Sequence, residues 1–425
     1  MKMAPGEHSK TRMGQWLSLL ALLCVVGGMP GCSAILGVVR PRNPVPEALV
    51  NGATIPGLPN VRTWGDGVNE TYRQSLLDAA RQEKAYYEAH PNEKPPETVD
   101  ILAISGGGQS GAYSAGLLCG WTASGTRPQF RLVTGISTGS LIAPLAFLGP
   151  KYDPMLREGY TTTTMQSIMR PRALLRLLRA DSLKDTEPLT KLIAKWITPD
   201  TLKEIAAEHA KGRRLLVGTT NLDTQRAVIW DMGAIAASGH PKALGLFRSV
   251  MLASASIPVA FPPVYMAVEA EGKNYDEMHV DGGVVATMFL LGTGLGHETT
   301  RGIIDGAKQG RPVRLFALRS GQVEAQYSIT KPRIGPIALR TMDTQGRFQV
   351  LSDMFRLYTI AQSEGMTYHL AYVPGEFTDM PADMFDPKFM SKLFQMAYAQ
   401  AIKGYPWKKT PPVMVGAAEP EKKTP

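Results

Sequence analysis

Cysteine is scarce in this chain, with three in 425 residues. Cys24 lies inside an apolar segment, Cys32 follows close behind it, and Cys119 stands far from both. So few cysteines build no multi-bridge disulfide framework, and there is no cysteine/histidine ligand spacing for zinc; no metal or organic cofactor is expected. Long apolar runs are missing too. Beyond residue 31 nothing reaches the roughly 18 unbroken apolar residues of a membrane span. No Asp or Glu occurs between Asp100 and Asp153, and no internal repeat is visible. The formal net charge of +9 is moderately basic, but by itself it selects neither nucleic acid nor membrane as a partner. With 44% hydrophobic residues, the chain has material for a sizeable core in one large domain or two modest ones.

What is present begins at the N-terminus. Lys2, Lys10 and Arg12 precede the apolar stretch from Trp16 to Met29, which runs into Pro30-Gly31-Cys32. The stretch is short for a span and matches the hydrophobic region of a signal peptide, so residues 1–31 are expected to be removed. Gly31 directly before Cys32 resembles a bacterial lipoprotein signal, in which the cysteine is acylated and anchors the protein. Met29 and Pro30 depart from the usual box. The alternative is a plain secretory signal, which leaves a Cys32–Cys119 bridge open. Ser33 rather than Asp follows the cysteine, which in such lipoproteins favours the outer membrane, facing the periplasm.

Residues 32–97 read as a Pro/Gly/Asn-rich tether and an N-terminal extension with one helix over Glu70–Ala89. From residue 98 the texture changes. Val99 to Ile104 is a short apolar run of the kind that forms a buried parallel strand, followed by a glycine loop and a helical stretch from Ala112 to Trp121. Phe130–Val133 is the next strand, with a helix from Ser140 to Phe147 behind it. Two successive strand–loop–helix units predict an α/β fold with a mostly parallel sheet. Helices are expected within 153–212 and at Pro241–Ala253, strands at Leu215–Thr219, Ala227–Trp230 and Val313–Leu318, and a long helix from Ile337 to Gln362. A core of 98–290 continues into 291–404 as part of the same domain, and 405–425 reads as a disordered tail.

Two glycine clusters carry the chemistry. Gly135-Ile136-Ser137-Thr138-Gly139 is a Gly-x-Ser-x-Gly pentapeptide directly behind a strand, where a sharp turn pushes a serine hydroxyl out of the sheet. Upstream, Gly106-Gly107-Gly108-Gln109-Ser110-Gly111 also satisfies a dinucleotide fingerprint. That fingerprint needs an acidic residue about 20 positions on, and none exists there. A phosphate-binding P-loop fails as well, lacking its Gly-Lys-Ser/Thr ending. What remains is a loop of backbone N–H groups suited to a developing oxyanion, where one donor is worth roughly 3 kcal/mol of transition-state stabilisation. The plainer reading is an ordinary glycine-rich turn, and the neighbouring serine pentapeptide tips the balance against it.

Ser137 needs a base. His209, His240, His279, His297 and His369 follow it, and none stands in a context that marks it. Asp281 does, because it ends the run Met278-His279-Val280 and precedes Gly282-Gly283. Desolvated beside a serine, its carboxylate would gain basicity and take the hydroxyl proton. Gly106-Gly107-Gly108-x-x-Gly111, Gly135-x-Ser137-x-Gly139 and Asp281-Gly282-Gly283, in that order, resemble the patatin-like phospholipases. The block Ala253-Ser254-Ala255-Ser256-Ile257-Pro258 matches further. The resemblance spans about 98–290 and implies a three-layer α/β/α sandwich with a mostly parallel sheet. It also implies a lipid acyl hydrolase with Ser137 as nucleophile, Asp281 as base and Gly106, Gly107 and Gly108 as oxyanion hole, without a cofactor. One departure is Ser110, where many members carry Arg or Lys.

Arg172, Arg176 and Arg179 share a face of a leucine-rich stretch that could rest on anionic lipid, although a helix with its leucines in the core is the commoner outcome. The expected partner is a membrane lipid substrate, with an anchor through acylated Cys32 and no nucleic acid. Two rivals stand: an esterase with a Ser-His-Asp triad, and a lipoprotein that binds lipid without catalysis.

Overall fold

The computed structural model of the protein describes residues 42–67, 70–171, 184–290 and 310–412. The signal segment, Cys32, the Arg172–Arg179 stretch and His297 lie outside the described residues. Among those described, nine strands form one sheet: β1 Arg62–Trp64, β2 Val99–Ile104, β3 Leu132–Ile136, β4 Arg214–Asn221, β5 Arg226–Asp231, β6 Val264–Ala270, β7 Lys273–Asp281, β8 Val313–Arg319 and β9 Thr367–Tyr372. The order is β1-β5-β4-β3-β2-β8-β9, with the β6–β7 hairpin joined through β7 to β4. Strands β4, β3, β2, β8 and β9 run parallel; β1, β5 and β7 pair antiparallel with their neighbours.

The physical basis is plain in β2. All six residues are buried, because helices cover both faces of the sheet. Side chains alternate across a strand, so Leu102 and Ile104 enter one core while Ile101 and Ala103 enter the other. The first core is roofed by α2 (Gly111–Ala123), α3 (Thr138–Leu148), α4 (Ala243–Ser254) and α6 (Pro387–Ile402). The second is covered by the long helix α5 (Ile334–Ser363) and by Tyr72 of α1 (Glu70–Ala89). This is an α/β sandwich with a central sheet between helical layers. Helix α2 is apolar all round and sits against α6 at backbone distance, where a Cβ on Gly116 would fall 2.2 Å from the Phe394 carbonyl oxygen.

Several elements differ from the sequence expectation. The β6–β7 hairpin is unexpected because β7 carries Asp276 and Glu277. Glu277 is nonetheless buried, held by the Arg62 guanidinium of β1, with one contact at 2.9 Å. Strand β9 and helix α6 are further elements that the sequence pattern does not mark. The tail expectation is corrected for 405–412: Trp407 packs against Trp121 and Phe316, and the Lys408 backbone pairs with Leu370. Buried aromatic area holds this stretch despite its lysines and prolines. Residues 413–425 lie outside the described residues.

Candidate active site

The parallel strands β2, β3, β4 and β8 end at one edge, and the loops leaving that edge bring the motif residues together. Ser137 follows β3 immediately and begins α3, with φ of 54° and ψ of −125°. A non-glycine residue in that region is strained, and the surroundings hold it there. Its N–H donates to Ser254 Oγ at 3.0 Å, and Ser254 Oγ donates onward to the Gly218 carbonyl at 2.7 Å. Its carbonyl accepts from Ser140 N–H at 2.9 Å and Ser140 Oγ at 2.7 Å. The flanking glycines serve close approach, since a Cβ on Gly139 would sit 2.3 Å from the Ile104 carbonyl oxygen.

Asp281 ends β7 opposite Thr219 of β4. Its carboxylate lies near enough to the Ser137 side chain for the hydroxyl to pull its pKa down, and Oδ1 accepts the Gly283 N–H at 2.7 Å. The backbone is pinned by Asp281 N–H to the Ser256 carbonyl at 2.9 Å and by Thr220 Oγ1, which donates to the Asp281 carbonyl at 3.0 Å. Only 5% of Asp281 and 7% of Ser137 is exposed. Burial pushes the Asp281 carboxyl up from 3.8 to about 6, against the smaller downward pull of the Ser137 hydroxyl and the Gly283 N–H. The pair is therefore a hydroxyl facing a carboxylate of raised basicity.

The glycine loop lies beside the serine, and a Cβ on Gly106 would be 3.8 Å from Ser137 Oγ. One expectation is corrected: the Gly106 N–H is already committed to the Thr287 carbonyl at 3.0 Å, so it is no oxyanion donor. The Gly106 carbonyl accepts from Ser105 Oγ at 2.6 Å and Arg319 Nη1 at 2.8 Å. The Gly106–Gly107 peptide is trans, so with its oxygen toward those two donors it turns the Gly107 N–H the other way. Neither Gly107 nor Gly108 N–H has a protein acceptor among the described residues. Gly108, at φ of 55°, occupies the left-handed region that favours glycine.

Sequence reasoning missed Arg319, Thr287 and the Asp353 carboxylate that accepts from Thr287 N–H and Oγ1 at 2.6 and 2.8 Å. They come from distant segments with no local motif. The one available signal was an arginine closing the late apolar strand β8. It stands by the loop where Ser110 offers no cation. Burial lowers the Arg319 pKa to about 10, against the opposing pull of Asp353.

Ser137, Asp281, Gly107, Ser110 and Arg319 line one cleft of about 1130 Å³, which α5 lines with residues between Arg340 and Val350. Among the described residues no histidine lines it. His279 lies two residues from Asp281, but its ring nitrogens meet Thr219 Oγ1 at 2.9 Å and Glu277 at 3.1 Å. Cys119 is a buried free thiol.

Residues 102–292 match the family model described as patatin-like phospholipase. That match implies a hydrolase acting on lipid esters, and all three glycine-bearing motifs fall inside it. No curated protein matches the chain. Among solved structures, VipD from Legionella pneumophila is similar at 13% identity over 73% of this chain and 68% of its own, with a TM-score of 0.31. At that score the likeness carries no argument about this chain.

Proposed function

We propose that this chain is a serine acyl hydrolase that cleaves ester bonds of membrane lipids through a Ser137–Asp281 dyad. Ser137 Oγ attacks the ester carbonyl while its proton passes to the Asp281 carboxylate. The tetrahedral oxyanion faces the Gly107 and Gly108 N–H groups, with Arg319 and Ser105 fixing the peptide that carries the first of them. Collapse breaks the ester bond, and the departing alcohol takes the proton from Asp281. A water then attacks the acyl-serine, gives its proton to Asp281, and the fatty acid leaves as Ser137 is reprotonated.

The observation that carries this reading is the buried Asp281 carboxylate lining the same cleft as the buried Ser137 on its strained turn, with the Asp281 pKa raised to about 6. A base with a pKa near neutrality suits proton transfer at physiological pH. Labelling with a fluorophosphonate probe tests it: wild type should be labelled and Ser137→Ala should not. Near wild-type ester turnover in Ser137→Ala would overturn the assignment. The triad alternative is tested by His→Ala variants of His240, His279, His297 and His369, one of which would then lose about a thousandfold in activity.

The same reading places the protein in a bacterial envelope, anchored through acylated Cys32 in the outer membrane and facing the periplasm. Two or more acyl chains hold stably where one binds only marginally. Its rival is electrostatic attachment through Arg172, Arg176 and Arg179, which high salt would reverse.

A further inference from the structure

The thirty-residue helix α5 is divided in two. Its buried residues, Val350, Asp353, Met354, Leu357 and Ala361, all lie in the second half. The first half and the segment leading into it present apolar side chains to solvent instead. Tyr327 is 91% exposed and Ile334 90%, and Ile329, Ile337, Leu339 and Phe348 are exposed as well. Scattered exposed apolar residues are normal in a folded protein, whereas a run concentrated in 327–348 marks a contact surface.

Charge runs alongside. Arg340 and Arg347, seven residues apart, share one side of the helix next to the Ile334–Ile337–Phe348 face, and Arg333 directly precedes its first residue. Between residues 324 and 348, Lys331 joins them against only Glu324 and Asp343, a net of 4 − 2 = +2. Arg340 pairs with Asp343 at 2.8 Å and Arg347 Nε donates to the Val323 carbonyl at 3.1 Å, which fixes the helix to its leading segment. The surface is continuous with the cleft, since exposed Met342, Phe348 and Val284 line it together with Ser137 and Asp281. An apolar face bordered by cations is the chemistry that settles on an anionic bilayer surface.

We infer that residues 327–348 are the face by which the protein docks on an anionic lipid surface, turning the mouth of the Ser137 cleft toward its lipid. The inference rests on the acyl-hydrolase reading for what enters the cleft, and the docking itself needs no turnover. In the full-length anchored protein reconstituted into vesicles, Ile337→Cys carries an environment-sensitive thiol dye. Glu88→Cys, on α1 near the opposite edge of the sheet, is the control, and the unsubstituted protein gives the background labelling. With phosphatidylglycerol-rich vesicles bearing doxyl lipid, the dye at 337 should be quenched at least about threefold more than at 88. The difference should shrink in pure phosphatidylcholine or in high salt. Ile334→Glu/Ile337→Glu, neither of which lines the cleft, should lower hydrolysis of vesicle substrate about tenfold and leave a soluble short-chain ester untouched.

Equal quenching at the two positions, or equal quenching with both lipids, would overturn the docking face. So would concentration-dependent self-quenching at 337 without vesicles, which would show that a second copy covers the patch. The quenching is repeated in Ser137→Ala. If quenching persists but no ester is hydrolysed by wild type, the hydrolase reading fails and the docking face stands.

Discussion

Replacing Asp281 with asparagine should abolish turnover and stabilise the protein at neutral pH. The carboxyl titrates at 3.8 ordinarily and at about 6 in the folded protein. Between those values the folded state keeps a proton that the unfolded chain has released. Stability associated with this group is therefore fully present below pH 3.8 and is lost as pH rises through 6. The gap of 6 − 3.8, at about 1.36 kcal/mol per pH unit, amounts to about 3 kcal/mol above pH 6. Asparagine has nearly the same shape, can still accept the Gly283 N–H, and carries no charge to bury. At pH 8 the variant should melt on the order of 4 °C higher than wild type, given the unfolding entropy of a domain this large. At pH 4 the two should nearly coincide. Thermal unfolding followed by circular dichroism at both pH values, beside nitrophenyl-ester turnover, is the assay. A variant that melts lower than wild type at pH 8 would refute the reasoning, because it would mean that the ionised carboxylate is a net stabiliser.

In the wild type, kcat/KM should rise with pH through an inflection near 6, as the base must be ionised to act; a profile flat from pH 5 to 8 would remove Asp281 from that role. Ser137→Ala should abolish ester hydrolysis, and Ser137→Ala/Asp281→Asn should be little worse than either single variant, because the two act as one unit. Arg319→Gln should lower kcat roughly tenfold with KM nearly unchanged and with partial rescue in Arg319→Lys, a smaller loss than the roughly hundredfold or more for an oxyanion donor itself. A KM-only effect would make Arg319 a substrate contact instead. Cys32→Ala should leave the membrane fraction on fractionation, and an exported, processed variant still bound in high salt would refute the anchor.

The local elements were legible where one physical signal dominated. The sequence pattern marks Glu70–Ala89 as a helix and Val99–Ile104 as a strand, and the structure has α1 and β2 over those spans. Helical periodicity and a continuous apolar run are properties of neighbouring residues, set before any distant segment arrives. The turns that hold Ser137 and Asp281 were legible for a related reason, since each carries glycines demanded by close backbone approach. The β7 strand was not, because Asp276 and Glu277 are tolerable there only once Arg42 and Arg62 reach them from more than 200 residues away. Nor was the order at 405–412, where Trp407 finds its aromatic partners on α2 and β8.

The sequence by itself determined which residues could react and which local turns would expose them. Only the tertiary structure decided how they are tuned. It committed the Gly106 N–H to the Thr287 carbonyl, and it brought Arg319 to the loop from β8. By burying Asp281, it also raised the affinity of that carboxylate for a proton. Desolvation and long-range hydrogen bonding depend on which surfaces meet, and that is settled only when the sheet and both helical layers assemble.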